Sequence, residues 1–378
     1  MQQALKHLAD GFARLLHERL IWFVTGSYLL AAIIPGPGLW IKDVSLGTFS
    51  ISGVRIHASL PLAMLAALLF NAGLSVDTQQ IRRLLQQPIA LITGLAANLI
   101  VPVGFVFVVA LTMASWHDKD AMQIILVGLA FIVSMPVAGS SAAWSQNTDG
   151  SLALSLGLVL FSTLLSPLTT PLVLHAVSKI TSGDYARDLD QLASQGVGSI
   201  LWIWVVLPSI LGILVRATLV GKNMAGLKPH LEAANNINLL LLNYSNAAAA
   251  LPQCFNVSNL YFFPAILAVT ATLCVLTFST GALLAKTLRL NHEQRTSMIF
   301  GLGMNNNGTG LVLASTLLSH HPLVLLPIIL YNLIQHLVAG LVNRLLLRNA
   351  GGEHERSPGI CRQAAADRLP AEVEASAK

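Results

Sequence analysis

Three consecutive asparagines among glycines, Gly303-Met304-Asn305-Asn306-Asn307-Gly308-Thr309-Gly310, interrupt a stretch otherwise apolar enough to lie in a membrane. These residues can do dipolar chemistry. Amide oxygens accept hydrogen bonds, amide nitrogens donate them, and glycine lets backbone groups leave a helix ladder. In hydrocarbon an unsatisfied polar or backbone group costs several kcal/mol, so such a run persists only inside protein or against a water-filled cavity. It therefore predicts a binding site. A second irregularity reads Ser134-Met135-Pro136-Val137-Ala138-Gly139-Ser140-Ser141. Pro136 removes a backbone donor and clashes with the preceding turn, which predicts a helix break there.

The elements that must carry these residues follow from composition. The 378 residues are 54% hydrophobic and only 10% charged, with mean hydropathy +0.68. A soluble domain carries about 25% charged residues. A pI near 9.3 would suggest nucleic acid in a soluble protein. Here the excess of Lys and Arg reads as the cytoplasmic bias of membrane proteins, so no nucleic-acid partner is expected. Cys254, Cys274 and Cys361 show no metal or disulfide spacing. The N-terminus shows no short apolar core with a cleavage site, so no signal peptide is expected.

Apolar stretches of about 20 residues predict ten spans, at 20–36, 58–75, 88–113, 121–148, 151–175, 198–218, 235–252, 262–285, 295–319 and 322–346. Residues 1–19 read as an interfacial amphipathic helix, with Leu5, Leu8, Phe12, Leu15 and Leu16 on one face. Residues 347–378 read as a disordered cytoplasmic tail. With both termini cytoplasmic, 17 Lys and Arg fall inside and 5 outside. That ratio predicts a multi-pass cell-membrane protein of N-in, C-in orientation, in a bacterial inner membrane.

Gly139 and Gly308 lie 169 residues apart, each at a break followed by about ten residues of short helix. The ten spans then divide into two halves of five, about 20–175 and 198–346, which an odd span number forces into opposite orientations. This is the inverted-repeat pattern of secondary transporters, in which paired interrupted helices mark a midplane site. A half-helix starting after a break offers free N–H groups and a positive dipole end, which favour an anion. Gly139, Ser140, Asn306 and Asn332 are the expected substrate-binding residues. One of Asn305 and Asn307 is expected to cap a half-helix, and Asn235 or Asn236 to cap the seventh span. Asn71, Asn98 and Asn243 read chiefly as helix–helix hydrogen-bonding residues, and Trp144 as packing. His175 and His336 are the intramembrane titratable candidates, each read as structural or interfacial.

The motifs Ser134-Met135-Pro136, Ser162-Thr-Leu-Leu-Ser-Pro167-Leu-Thr-Thr-Pro171, Gly303-Met304-Asn305-Asn306 and Tyr331-Asn332 resemble the bile acid:sodium symporter family, over about residues 20–346. The resemblance implies an all-α membrane fold with ten helices in two inverted repeats. Broken helices 4 and 9 would cross in a core domain (spans 3–5 and 8–10) beside a panel domain (spans 1, 2, 6, 7). It also implies organic-anion uptake by alternating access with Na+ as coupling ion. The family's first sodium site then falls on Ser141, Ala142, Ser155, Val159 and Gly301, where sodium-coupled members carry Ser, Asn, two hydroxyls and a ninth-helix glutamate. Its second falls near Gly301, Leu302, Met304 and Asn305, with Asn98 near a third-helix glutamine. The asparagine, one hydroxyl and the glutamate are missing here.

No Asp or Glu falls inside the ten expected spans, so a sodium ion would meet only dipoles. The leading reading is a secondary transporter of a small organic anion with weak or absent sodium coupling and no resident cofactor. Two alternatives stay open. One is a sensor or scaffold on a degenerate transporter fold. The other is an arsenite-type exporter, which would place a cysteine where Met135 stands. An intramembrane enzyme is not expected, because the spans carry no paired Asp, Ser–His set or HExxH motif. Substrate, flux direction and oligomeric state are not legible.

Overall fold

The computed structural model describes residues 20–51, 54–76, 88–219, 224–254 and 261–355. The interfacial helix expected over 1–19 lies outside the described residues, as do residues 356–378 of the expected tail. The chain is mostly helical. Helix α1 (Leu20–Ile33) ends before Pro35, and the chain bends by 96° into α2 (Gly36–Asp43). Proline at the first helical turn loses no needed hydrogen bond, so Pro37 starts α2 rather than breaking it. A two-stranded antiparallel hairpin follows, β1 (Ser45–Ile51) with β2 (Val54–Ser59). The sequence reading did not anticipate it.

Next come α3 (Leu60–Ser75), α4 (Pro88–Thr112), α5 (Lys119–Ser134), α6 (Ser140–Gln146) and α7 (Leu152–Ser178). Helix α8 (Gly183–Gln195) is amphipathic and connects the two halves of the chain. Helix α9 (Val197–Leu201) passes through one π-helical turn, Trp202–Val206, into α10 (Leu207–Leu219). The second half continues with α11 (Met224–Cys254), α12 (Phe262–Thr287), α13 (His292–Gly303) and α14 (Asn307–Leu317). A short 3-10 turn, Pro322–Val324, leads into α15 (Leu325–Glu355).

Five of these helical runs are long and apolar enough to cross a bilayer: Pro88–Thr112, Leu152–Ser178, Val197–Thr218, Phe262–Thr287 and Pro322–Arg348. The bent α1–α2 pair makes a sixth if counted as one span. The other expected spans fail that simple test for physical reasons. The breaks cut α5/α6 and α13/α14 into short pieces, α3 has 16 residues, and α11 begins with the polar residues Lys228, Glu232, Asn235 and Asn236. Large apolar side chains such as Ile92 and Ile100 of α4, Leu168 and Leu172 of α7 and Val275 of α12 point outward and are exposed. Hydrocarbon is the solvent that accommodates such a surface.

Packing divides the helices. α1, α2, α3, α10 and α11 pack on one another, and α4 to α7 pack with α12 to α15. The α3–α10 crossing is glycine against glycine. A Cβ on Gly73 would run into the Ser209 carbonyl, and one on Gly212 into the Phe70 carbonyl. Such close backbone approach is how helices associate where no hydrophobic effect operates between them. The Asn71 amide donates to Asn235 Oδ1 (2.9 Å), the expected kind of helix–helix bond. The expectation that Asn235 or Asn236 caps a helix is wrong, because α11 starts eleven residues earlier, at Met224. Apolar periodicity could not show this amphipathic extension. Helix α15 likewise runs to Glu355, into the segment assigned to the tail.

Candidate functional site at two paired helix breaks

The first break begins where α5 ends. Pro136 cannot donate, and residues 135–138 are not helical. Their backbone groups are then satisfied by other elements. The Val137 N–H donates to Ser162 Oγ of α7 (3.0 Å), and Thr170 Oγ1 of α7 donates to the Ser134 carbonyl (2.8 Å). Ser162 and Thr170 both belong to the STLLSPLTTP run, so this hydroxyl-rich helix serves to hold the break open.

The second break supplies the remaining partners. Val137 and Asn305 form an isolated antiparallel bridge. The Ala138 N–H donates to the Met304 carbonyl (2.9 Å), and the Asn306 N–H donates to the Pro136 carbonyl (2.8 Å). Asn305 Nδ2 donates to the Ile132 carbonyl at the end of α5 (3.1 Å). Gln335 of α15 closes the arrangement. Its Oε1 accepts from the Asn305 N–H and its Nε2 donates to the Asn305 carbonyl, both at 3.2 Å. Two irregularities far apart in the sequence are thus one structural unit, in which each break completes the other.

Asn306, flanked by the residues expected to cap, is itself the N-cap of α14: its Oδ1 accepts from the Thr309 N–H (3.2 Å). The expectation that Asn305 or Asn307 would cap is therefore corrected. Asn305 is buried and committed to the bridge, and Asn307 is the first helical residue.

A layer of small residues lies beside the crossing. Ser145 Oγ and Ser297 Oγ are 2.9 Å apart, and Ser297 Oγ also donates to the Ser151 carbonyl (2.9 Å). This ties the end of α6, the start of α7 and the middle of α13. Four residues along each helix, toward the breaks, stand Ser141, Ser155 and Gly301. Ser141 and Ser155 are 0% and 1% exposed, and neither hydroxyl has a hydrogen-bond partner among the described residues. Ala142 is buried, and a Cβ on Gly301 would lie 2.6 Å from Leu158 Cδ1. Leu158 belongs to a compact apolar cluster with Leu154, Met298 and Leu302. The space beside Gly301 thus holds a leucine methyl group.

Of the other expected site residues, Gly139 is exposed and Ser140 half-buried at the start of α6. At seven residues, α6 is too short to count on a helix dipole. Met304 is buried, and its carbonyl is engaged by Ala138. Asn98 of α4 is 8% exposed, and its Oδ1 lacks a partner among the described residues. Asn332 donates to Tyr28 Oη (2.8 Å) and accepts from Gln335 Nε2 (3.3 Å), so both ends of its amide are in use. Asn306 stands at the crossing with its backbone; Asn332 reaches the crossing only through Gln335.

Polar residues also occur on α11 and α14, which pack together, and the sequence reading did not name Asn246 or Ser315 among them. Ser315 Oγ donates to Asn246 Oδ1 (2.8 Å). Asn243 and Asn307 are each 1% exposed and Thr309 is 0% exposed. Both ends of the Asn243 and Asn307 amides and Thr309 Oγ1 lack partners among the described residues. A buried orphan of this kind costs about 1–3 kcal/mol. Asn307 and Thr309 thus bring uncommitted donors and acceptors to the first turn of α14. The signal was present as Asn243, Asn246 and Asn307 in apolar surroundings, but only packing sets Asn246 against Ser315.

His175 is half exposed at the end of α7, and its Nδ1 lies 2.7 Å from Asp190 Oδ1 of α8. That contact holds the Asp190 carboxyl below the usual carboxylate range, with Lys179 adding to the effect. Trp144 stacks against Phe300 at 6.3 Å between centroids, a packing role.

A model of the Sodium Bile acid symporter family matches residues 62–254, which run from α3 to the end of α11 and include the first break. The chain is 27% identical over 288 residues to YbaS of Bacillus subtilis (strain 168), an uncharacterized protein, covering 75% of this chain and 87% of that one. It is 23% identical over 285 residues to YocS of the same strain, an uncharacterized sodium-dependent transporter, covering 74% of this chain and 81% of that one.

Proposed function

The chain belongs to the Sodium Bile acid symporter family of membrane transporters, and on that footing we propose that it moves a small organic anion across the membrane by alternating access. The observation that carries this reading is the reciprocal pairing of the two breaks through Val137 and Asn305. An antiparallel pairing of equivalent irregularities is what two inverted repeats produce at a midplane site.

Ten spans with both termini cytoplasmic is the topology we infer, supported by contacts between connections of the same parity. The Ser151 N–H donates to the Glu293 carbonyl (2.9 Å), joining the fourth–fifth and eighth–ninth connections. Arg216 donates to the Leu74 carbonyl (2.8 Å), joining the second–third and sixth–seventh. On the opposite side, Tyr185 donates to Asp120 (3.0 Å), and His320 meets Asp188 (2.8 Å).

The anion is placed at the start of α14. This eleven-residue helix presents the Gly308 N–H, the Asn306 cap and the uncommitted Asn307 and Thr309 side chains. Gly139 and Ser140 add N–H groups from the other half, and Asn332 acts through Gln335. A helix N-terminus favours an anion by about 0.3–1 kcal/mol when exposed and more when partly buried.

Sodium dependence is proposed to be weak or absent, because Leu158 fills the space beside Gly301 where sodium-coupled relatives carry a carboxylate. One observation favours a second reading. The unpartnered Ser141 and Ser155 hydroxyls and the Asn98 and Asn305 oxygens could hold a sodium ion by dipoles alone. One relative is named a sodium-dependent transporter. Uptake of labelled organic anions into proteoliposomes, with and without a sodium gradient, tests both. Uptake of at least one anion at equal rates in sodium and potassium is expected. Steep sodium dependence would establish the second reading, and no uptake across the panel would overturn the first.

A further inference from the structure

Far from the crossing, at one end of the bundle, three possible metal ligands from two separate elements converge. Asp188 stands on α8, and His320 and His321 stand in the turn after α14. His320 Nε2 lies 2.8 Å from Asp188 Oδ2 and His321 Nε2 3.4 Å from the same oxygen, and the three ligand atoms fall within 4.8 Å of one another. Adjacent side chains in a chain usually diverge, so two imidazoles turned onto one carboxylate need a cause. Here the ring of Tyr185, one helical turn before Asp188, stacks on His321 with centroids 4.3 Å apart. Tyr185 is fixed in turn by donating its hydroxyl to Asp120 (3.0 Å). Burial and the Asp120 charge push the Tyr185 phenol well up, so it stays protonated as that donor. His321 Nε2 is sheltered from solvent yet makes no hydrogen bond among the described residues.

The geometry points to a binding site for a divalent transition-metal ion, Zn2+ by its donor set, held by Asp188, His320 and His321. A tetrahedral zinc with bonds of about 2.0 Å has ligand–ligand edges of about 3.3 Å. The spacings of 2.8 and 3.4 Å lie near that edge. Two nitrogens and one carboxylate suit zinc, nickel or copper and do not suit magnesium or calcium, which take oxygen ligands. Three protein ligands leave a fourth position for water. Half-exposed His320 opens the site to solvent, and partly covered Asp188 and His321 form its wall. The ion joins α8, the connection between the two halves, to the turn between α14 and α15.

The test is calorimetric titration of ZnCl2 into the purified full chain in detergent, after chelator treatment. One saturable zinc per chain is expected, with a raised thermal unfolding midpoint. His321→Ala and Asp188→Asn should each weaken binding at least about tenfold, the least that loss of even an outer partner of a metal site costs. His175→Ala, which removes the separate His175–Asp190 pair, should leave it unchanged. Absence of a saturable site in the wild-type chain overturns the assignment, as does wild-type affinity in both His321→Ala and Asp188→Asn.

Discussion

Gln335 of α15 holds both backbone polar groups of Asn305, accepting from its N–H and donating to its carbonyl at 3.2 Å each. One side chain thus stands in for the helical neighbours that Asn305 loses at the break. Gln335→Leu keeps roughly the same volume but leaves a buried N–H, a buried carbonyl and the Asn332 Oδ1 without partners. Each orphan costs about 1–3 kcal/mol, so destabilisation of about 2 kcal/mol or more is expected. Thermal unfolding in detergent measures it, with Gln253→Leu, which loses one half-buried bond to the Ala249 carbonyl, as the control. Equal midpoints for the two variants would remove Gln335 from its assigned role.

Asn306 combines a cap with a proposed ligand contact, and two substitutions separate these roles. Asn306→Ala loses the cap, at about 1 kcal/mol, and should abolish anion uptake while the protein still inserts. Asn306→Ser retains a capping oxygen but no amide N–H2. It should recover most of the lost stability without recovering uptake. Normal uptake by Asn306→Ala would show that the substrate does not bind there.

Gly301 faces Leu158 rather than an ion. Placing a carboxylate there by Gly301→Glu forces a charge into the Leu154, Leu158, Met298 and Leu302 cluster. An uncompensated buried charge costs about 3–5 kcal/mol, so the unfolding midpoint should fall sharply. Recovery of the midpoint on adding sodium but not potassium would show that a cation site survives, against the proposed weak coupling.

Ser141 and Ser155 offer the converse test. Their hydroxyls are buried without partners, so Ser141→Ala and Ser155→Ala should be neutral or slightly stabilising in the absence of sodium. If either hydroxyl binds sodium, the wild-type chain gains stability from the ion and the variant does not. Equal midpoints in sodium and potassium for all three chains are expected.

The α3–α10 crossing depends on backbone contact at Gly73 and Gly212. Neither clash is with a flexible side-chain end, so Gly73→Val and Gly212→Val cannot be relieved by a rotamer change. Each should cost at least the about 1–3 kcal/mol of an overpacked core. Gly104→Val is the comparison, because a Cβ there meets nothing within 4 Å. Wild-type stability in Gly73→Val would mean that the helices do not cross there.

Much of the fold was legible in the chain because the bilayer imposes a length and a polarity on each span. The expected span at 88–113 corresponds to α4 (Pro88–Thr112), and that at 262–285 to α12 (Phe262–Thr287). Pro136 and the asparagine run marked both breaks, since proline and clustered amides conflict with a lipid-facing helix wherever they occur. The β1–β2 hairpin, α8 and the polar first half of α11 were not legible. They lie outside the apolar spans, where no bilayer constraint acts and local propensity is a weak guide. The capping role of Asn306 was missed because three identical residues offer the same side chain. Only the backbone conformation decides which of them stands before the first helical turn.

The sequence by itself determined a membrane protein with two interrupted helices and no carboxylate within the expected spans, because hydropathy and proline chemistry act locally. The tertiary structure decided everything that depends on partners distant along the chain. It decided that the Pro136 carbonyl accepts from Asn306, that Gln335 satisfies Asn305, that Leu158 fills the space beside Gly301, and that Asp188 meets His320 and His321. Each is a contact between groups far apart in the chain. Buried polar groups must find partners and buried space must be filled, but which residue does so is set by how the helices pack.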